Sequence, residues 1–248
     1  MNATTSGVTR INRSEARTLA LAEFDRFADL TASLTPDEWA TDTDCVGWDV
    51  RAMVLHVLGS ADAQVSPLVF AHQLRHGLPL NKEIDAHHWV DGLNELQIRE
   101  RAELTNSQVV EQLQTIGPRA VKGRFGTPLP MRYVPVPIGE PIGWKPVNYL
   151  LEVGFTRDTW AHRIDIHAAI GRPMDLDPDH DGRLVADIVG EWADVHGAPF
   201  ELQLTGPAGG TFSHGVDGEH IEIDALDFIR TLAGRLPGTG VLANPLPL

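Results

Sequence analysis

Along residues 14–34, SEARTLALAEFDRFADLTASL, the apolar residues Leu19, Ala22, Phe24, Phe27 and Leu30 form a roughly helical stripe, which predicts an amphipathic helix. TPDEW follows. Thr35 reads as a helix N-cap, Pro36 as the first helical residue and Glu38 as the capping-box partner three residues on. DTDCVGWDV reads as a polar turn, and Asp49 as the N-cap of a helix in which Ala52, Met53, His56 and Gly59 share one face. Residues 81–104 predict a long helix, and NSQVVEQLQTIG another, closed by Gly117 and Pro118. Residues 128–141, PLPMRYVPVPIGEP, hold five prolines and read as a loop. A stretch that long without structure of its own is a candidate lid. A helix then spans residues 147–170 and stops at Gly171, Arg172 and Pro173.

Beyond Pro173 the pattern changes. LVADIVGEWADVHG predicts one more helix; PFELQLTG, TFSHGV and EHIEID alternate as strands between the turns GPAGG and VDG; ALDFIRTLAGRL predicts a closing helix. The expected fold is mainly α: a helical bundle over residues 1–172, followed by a small α+β C-terminal domain over residues 173–248.

At 248 residues, with 42% hydrophobic and 22% charged, the composition is that of an ordinary folded protein. No stretch approaches the roughly 18 apolar residues of a transmembrane helix. The opening residues lack a basic-then-apolar signal pattern, so a cytoplasmic protein is expected. The net charge of −14 argues against nucleic acid and against an anionic membrane surface as partners. The single cysteine, Cys45, rules out an internal disulfide.

The chemistry concentrates in RDTWAHRIDIH, residues 157–167. Leu151, Phe155, Asp158, His162, Ile166 and Ala169 step by three or four and share a helix face. Asp158 and His162 stand one turn apart within an apolar stripe, where a buried charge needs a partner or a metal. Such a pair at i, i+4 can hold one ion. His56, on an apolar helix face, is the candidate third ligand, and Asp165 a candidate partner for the His162 ring. Two histidines and one carboxylate leave a coordination position open, as catalytic sites do. The alternative is structural: His162 pairs with Asp158 or Asp165 inside the bundle, and His56 is a core histidine bonded to a carbonyl.

CVGWDVRAMVLHVLG, followed far downstream by RDTWAHRIDIHAAIGRP, resembles the mycothiol-dependent maleylpyruvate isomerase family. LTGPAGGTF and ALDFIRTLAGR resemble its C-terminal domain. The resemblance implies a DinB-like four-helix bundle with a small C-terminal domain, and a zinc or other divalent metal held by His56, Asp158 and His162. The family's isomerases carry glutamate where this chain has Asp158, so the ion must shift or the backbone approach. The resemblance further implies that the metal binds the thiol of mycothiol as a thiolate. A free thiol titrates near ~8.5, and zinc coordination deprotonates it. The thiolate then adds to a conjugated electrophile, as a cis–trans isomerase or as a mycothiol S-transferase. Arg235, in AGR, is the candidate for substrate carboxylates, with Arg163 and Arg230 as alternatives; Trp48 and Arg163 are the candidates for binding mycothiol. The implied partners are mycothiol and a small electrophilic, anionic substrate, with the protein a monomer or homodimer.

Other readings stay open. Cys45 is a candidate nucleophile with His56 as base, or a small buried residue at a turn. His87 and His88 point about 100° apart on a helix, so at most one faces a site; both read as surface or pocket-wall residues. Trp160 reads as bundle core. Two histidines and a carboxylate also describe a non-haem iron triad or a hydrolytic metal site. A non-enzymatic small-molecule binding protein is the third class.

Overall fold

The computed structural model describes residues 2–248. In chain order the elements are β1 Asn2–Thr4, α1 Arg13–Ala32, α2 Pro36–Trp39, α3 Val50–Val65, α4 Pro67–Gly77, α5 Asp91–Arg99, α6 Asn106–Gly126 and α7 Leu129–Arg132. The hairpin β2 Pro135–Gly139 and β3 Gly143–Pro146 follows, then α8 Val147–Tyr149, a π-helical turn Leu150–Gly154 and α9 Phe155–Ala169. The chain ends with α10 Asp181–His196, β4 Phe200–Thr205, β5 Gly210–His214, β6 Glu219–Asp224 and α11 Ala225–Leu232. The fold is mainly α with a small α+β C-terminal part. No helix among the described residues is long and apolar enough to cross a membrane.

Packing groups the chain into two compact units. The helical unit comprises Arg17–Tyr133 and Asp165–Gly171; the other comprises the residues up to Ala16, Val134–Ile164 and Arg172–Leu248. α1 and α9 each contribute residues to both units.

The helical unit is built on one apolar core. Phe24, Phe27 and Leu30 of α1 meet Met53, Val54, Val57 and Leu58 of α3, Val109, Leu113, Ile116, Ala120 and Val121 of α6, and Ile166 of α9. The Thr35–Glu38 capping box and the Asp49 cap form as expected, Asp49 Oδ1 accepting from the Ala52 N–H at 2.7 Å.

Three expectations are corrected. α6 does not end at Gly117–Pro118 but runs on to Gly126. A helical proline costs about 3 kcal/mol, yet the buried face continues past it through Ala120 and Val121, and that burial outweighs the local preference. The helix expected over residues 81–104 shrinks to α5, because side chains compete for the backbone ahead of it. Asp91 Oδ2 accepts from the N–H groups of His87 and His88 at 2.9 and 2.8 Å, and Asn81 bridges the Trp89 carbonyl and the Gly92 N–H. The proline-rich stretch is no plain loop either: α7 and the antiparallel β2–β3 pair occupy much of it. A two-stranded ribbon has only edges, where proline is tolerated.

In the second unit the sheet order is β1-β5-β4-β6, with β4 antiparallel to β5 and parallel to β6, and β1 parallel to β5. β4 alternates strictly, burying Phe200, Leu202 and Leu204. Trp192 of α10 is fully buried against Phe200 and Phe228, ring centres 4.9 and 5.2 Å away.

His196, beside Trp192, has a pH consequence. Its Nδ1 accepts from the Ala198 N–H at 2.9 Å, a bond only the neutral ring makes. Burial, and then the nearby His214 ring, hold this imidazole down to about 4. Between that value and the ordinary ~6.5, the unfolded chain takes up a proton that the folded one refuses. Stability is therefore full above ~6.5 and falls as pH drops toward 4. His196→Gln is expected to reduce that loss: the gap in melting temperature between parent and variant should change from pH 7 to pH 4.5. A constant gap refutes the assignment.

Candidate metal centre

His56 sits in the helical unit, midway along α3, 4% exposed. The preceding turn sets its neighbour. The Trp48 N–H donates to the Cys45 carbonyl at 2.9 Å across Gly47, whose φ of +81° suits only glycine. The Trp48 carbonyl in turn accepts from the Thr43 hydroxyl at 2.8 Å. Trp48 is thereby brought against the His56 ring at 5.1 Å between centres. His56 Nδ1 meets Gln97 Oε1 at 2.8 Å.

In the second unit, Asp158 and His162 face one another on α9, His162 Nε2 lying 3.6 Å from Asp158 Oδ1. The imidazole is buried and the carboxylate is 30% exposed. The spacing tests the fit of a metal. Zinc–nitrogen and zinc–oxygen bonds of about 2.0–2.2 Å at a tetrahedral angle place two donors about 3.3–3.6 Å apart. The pair already holds that separation, longer than a good hydrogen bond, and its donor types suit zinc.

The other candidates are placed as follows. Asp165 is buried in the helical unit, where Cys45 Sγ lies 3.6 Å from its Oδ2. Arg163, 3% exposed, donates to Asp181 Oδ1 at 2.7 Å, the oxygen that also accepts from Trp160 Nε1 at 2.7 Å. Asp181 thus ties two residues of α9 to the start of α10. Arg235 is half-buried, and its Nη1 donates to the Ala233 carbonyl at 2.7 Å. Arg230 lies 3.5 Å from Asp227. The structure therefore pairs Asp158 with His162 in one unit and Trp48 with His56 in the other; Arg163 and Arg235 have partners of their own.

Sequence reasoning missed two clusters. One is Gln97 and Gln73 beneath His56; glutamines a helix apart give no periodic signal. The other is buried and ionic. Arg157 donates to Glu191 Oε2 at 2.5 Å and to Asp187 Oδ2 at 2.6 Å, and the Tyr149 hydroxyl donates to Glu191 Oε2 at 3.0 Å. Burial pushes the Glu191 carboxyl up, but Arg157 more than reverses this and holds it below the ordinary range. Burial raises the Tyr149 phenol far above its usual value; the Arg157 charge opposes the rise and Glu191 adds to it. The i, i+4 spacing of Asp187 and Glu191 on α10 was the available sign.

The fold is mainly helical with a small α+β C-terminal part, and the Asp158–His162 spacing of 3.6 Å suits a metal ion. The chain belongs to the mycothiol maleylpyruvate isomerase family: the model of that family's N-terminal domain matches residues 20–167, a span that includes His56, Asp158 and His162. The crystal structure of the mycothiol-dependent maleylpyruvate isomerase is similar in fold, with TM-score 0.56 and 16% identity over 94% of this chain and 92% of that one. A second structure of that isomerase, carrying a histidine-to-alanine mutation, matches equally, with TM-score 0.56 and 16% identity. No curated protein sequence matches the chain.

Proposed function

We propose that this chain is a mycothiol-dependent enzyme of the maleylpyruvate isomerase type, in which His56, Asp158 and His162 hold one divalent metal, zinc before others. The observation that carries the reading is the Asp158–His162 pair, inside the matched family span and at a donor spacing that suits a tetrahedral ion. In this proposal His56 is the third ligand, making two imidazoles and one carboxylate, a set that suits zinc.

Bound there, zinc would hold the mycothiol thiol as a thiolate at neutral pH. The chain's own residues do the rest. Asp158, one methylene shorter than glutamate, sets how far the ion stands from α9. Trp48 walls the His56 ring and offers mycothiol an apolar surface. Arg163, held by Asp181, keeps α9 and its ligands in register, and with Trp48 it is assigned to the mycothiol side of the site. Arg235 is assigned to a substrate carboxylate, for which its forked donors suit it. The substrate is a small anionic electrophile, and the cytoplasm is the compartment in which the enzyme meets it.

Isomerase and S-transferase share this machinery and differ in the fate of the adduct. Incubation of zinc-loaded protein with mycothiol and maleylpyruvate separates them. Conversion to the trans isomer with no thiol consumed establishes the isomerase; loss of thiol with formation of an adduct establishes the transferase. Glutathione is expected to be a poor replacement. A protein that neither converts maleylpyruvate nor consumes mycothiol with any of a panel of electrophiles overturns the proposal.

A further inference from the structure

We propose that Gln97 and Gln73 are positioning residues that fix the tautomer of His56, keeping its proton on Nδ1 and its lone pair on Nε2. The inference rests on the metal reading above for its purpose, but not for its geometry. His56 Nδ1 lies 2.8 Å from Gln97 Oε1, Gln97 Nε2 donates to Gln73 Oε1 at 2.8 Å, and Gln73 Nε2 donates to the Gly59 carbonyl at 2.9 Å. All three side chains are at most 5% exposed, so water does not compete for these groups.

The chain of bonds has only one sense. A backbone carbonyl accepts and never donates, so Gly59 can be met only by the amide nitrogen of Gln73. Gln73 must then turn its oxygen to Gln97. That oxygen needs a donor, so Gln97 turns its nitrogen to Gln73 and its oxygen to His56. The oxygen in turn needs a donor, and His56 Nδ1 must carry the proton. Turning either amide over would set oxygen against oxygen and nitrogen against nitrogen in a buried place, where an unmade hydrogen bond costs about 1–3 kcal/mol. A neutral imidazole protonated at Nδ1 has its only in-plane lone pair on Nε2, the nitrogen that can then ligate an ion.

The local sequence is built for this. α3 supplies both ends of the relay: His56, and Gly59 three residues on. A Cβ on Gly59 would stand 2.5 Å from Gln97 Cβ, so glycine is what lets Gln97 come close enough to reach the ring. α4 supplies Gln73 and α5 supplies Gln97, so three helices cooperate in orienting one imidazole. Residues that hold a metal-bound histidine by its second nitrogen typically contribute 10–100-fold to metal affinity.

The test begins with metal-free parent protein labelled with ¹⁵N-histidine, at pH 8, in long-range ¹H–¹⁵N spectra. The His56 signals are identified by their absence in His56→Gln. A protonated Nδ1 and a bare Nε2 are expected; a proton on Nε2 overturns the proposal, whatever any variant does. Gln97→Leu should release the tautomer and weaken zinc binding about 10–100-fold against a chromophoric chelator. Gln97→Glu should keep the Nδ1 proton even where it costs stability, because its carboxylate still accepts from the ring. An effect of packing alone would not sort the two variants this way. Gln97→Leu with tautomer and affinity both unchanged also overturns the proposal. Parent protein that shows the Nδ1 proton yet binds no zinc leaves the relay standing and defeats the metal reading instead.

Discussion

His162→Ala is expected to lose zinc affinity and mycothiol-dependent turnover together, each by more than about 100-fold, beyond the 10–100-fold typical of residues that only support a ligand. The imidazole is buried on α9 with Asp158 3.6 Å away, so its removal takes away a donor and leaves the carboxylate without its close neighbour. The fold should survive, because the residue that seats this part of α9 is Ile166, fully buried in the helical core. Equilibrium dialysis against zinc, activity and circular dichroism measured on the same preparations check this. His56→Ala should behave in the same way. His72→Ala, at a solvent-exposed ring paired with Glu100, should leave zinc binding and activity as they are. Were His162→Ala to hold zinc as tightly as its parent, the histidine would be structural and the proposed centre would be lost.

The second large effect lies away from the metal centre. Arg157→Leu should destabilise the protein by roughly 3–5 kcal/mol, as breaking a buried ion pair by removing one partner does. Arg157 and its carboxylate partners are almost entirely inaccessible: Arg157 is 1% exposed, Asp187 0% and Glu191 4%. Removal of the guanidinium leaves two carboxylates in a poorly solvated place with weaker help. Arg10 reaches Asp187 and Glu191 only at 3.5 and 3.4 Å and is itself 42% exposed, and Lys145 lies 3.7 Å from Glu191. The sign of the pH response adds a check. In the parent the Glu191 carboxyl is held below its ordinary range, so the stability it contributes is present above ~4.3 and lost as pH falls through the lowered value. In Arg157→Leu burial is opposed only by the weaker help of Arg10 and the Tyr149 hydroxyl, so the carboxyl pKa rises and the deficit should narrow as pH falls from 7 to 5. Urea unfolding at both values measures it. A loss below about 1 kcal/mol at pH 7, the scale of an exposed ion pair, would show that the cluster is solvated.

Much of the fold is legible in the sequence, because local rules and burial agree there. Asp49, Thr35 and Glu38 cap the helices they announce, Phe24, Phe27 and Leu30 of the α1 stripe lie in the core while Ala22 is half-buried, and β4 to β6 and α11 follow their alternation and periodicity. The misses fall where side chains or distant contacts decide. Pro118 argues for a helix end, and a continuous buried face overrides it. Asn81 and Asp91 draw backbone groups away from a helix that the apolar pattern alone would extend. α4 was overlooked although Ser66 and Pro67 mark its start.

The candidate site divides in the same way. Asp158 and His162 were visible, because one helix fixes their spacing. Gln97 and Gln73 were not, because they reach His56 from other helices. Arg157 stood first in the motif that drew attention to α9, yet its role depends on Asp187 and Glu191, thirty or more residues away.

The most direct measurement is anomalous diffraction at the zinc edge from crystals of the zinc-loaded protein. One peak is expected at bonding distance from His56 Nε2, His162 Nε2 and an Asp158 carboxylate oxygen, with His56 Nδ1 still on Gln97. Loaded crystals with no anomalous density at those three residues, or with zinc bound only elsewhere on the chain, would contradict the account at its base.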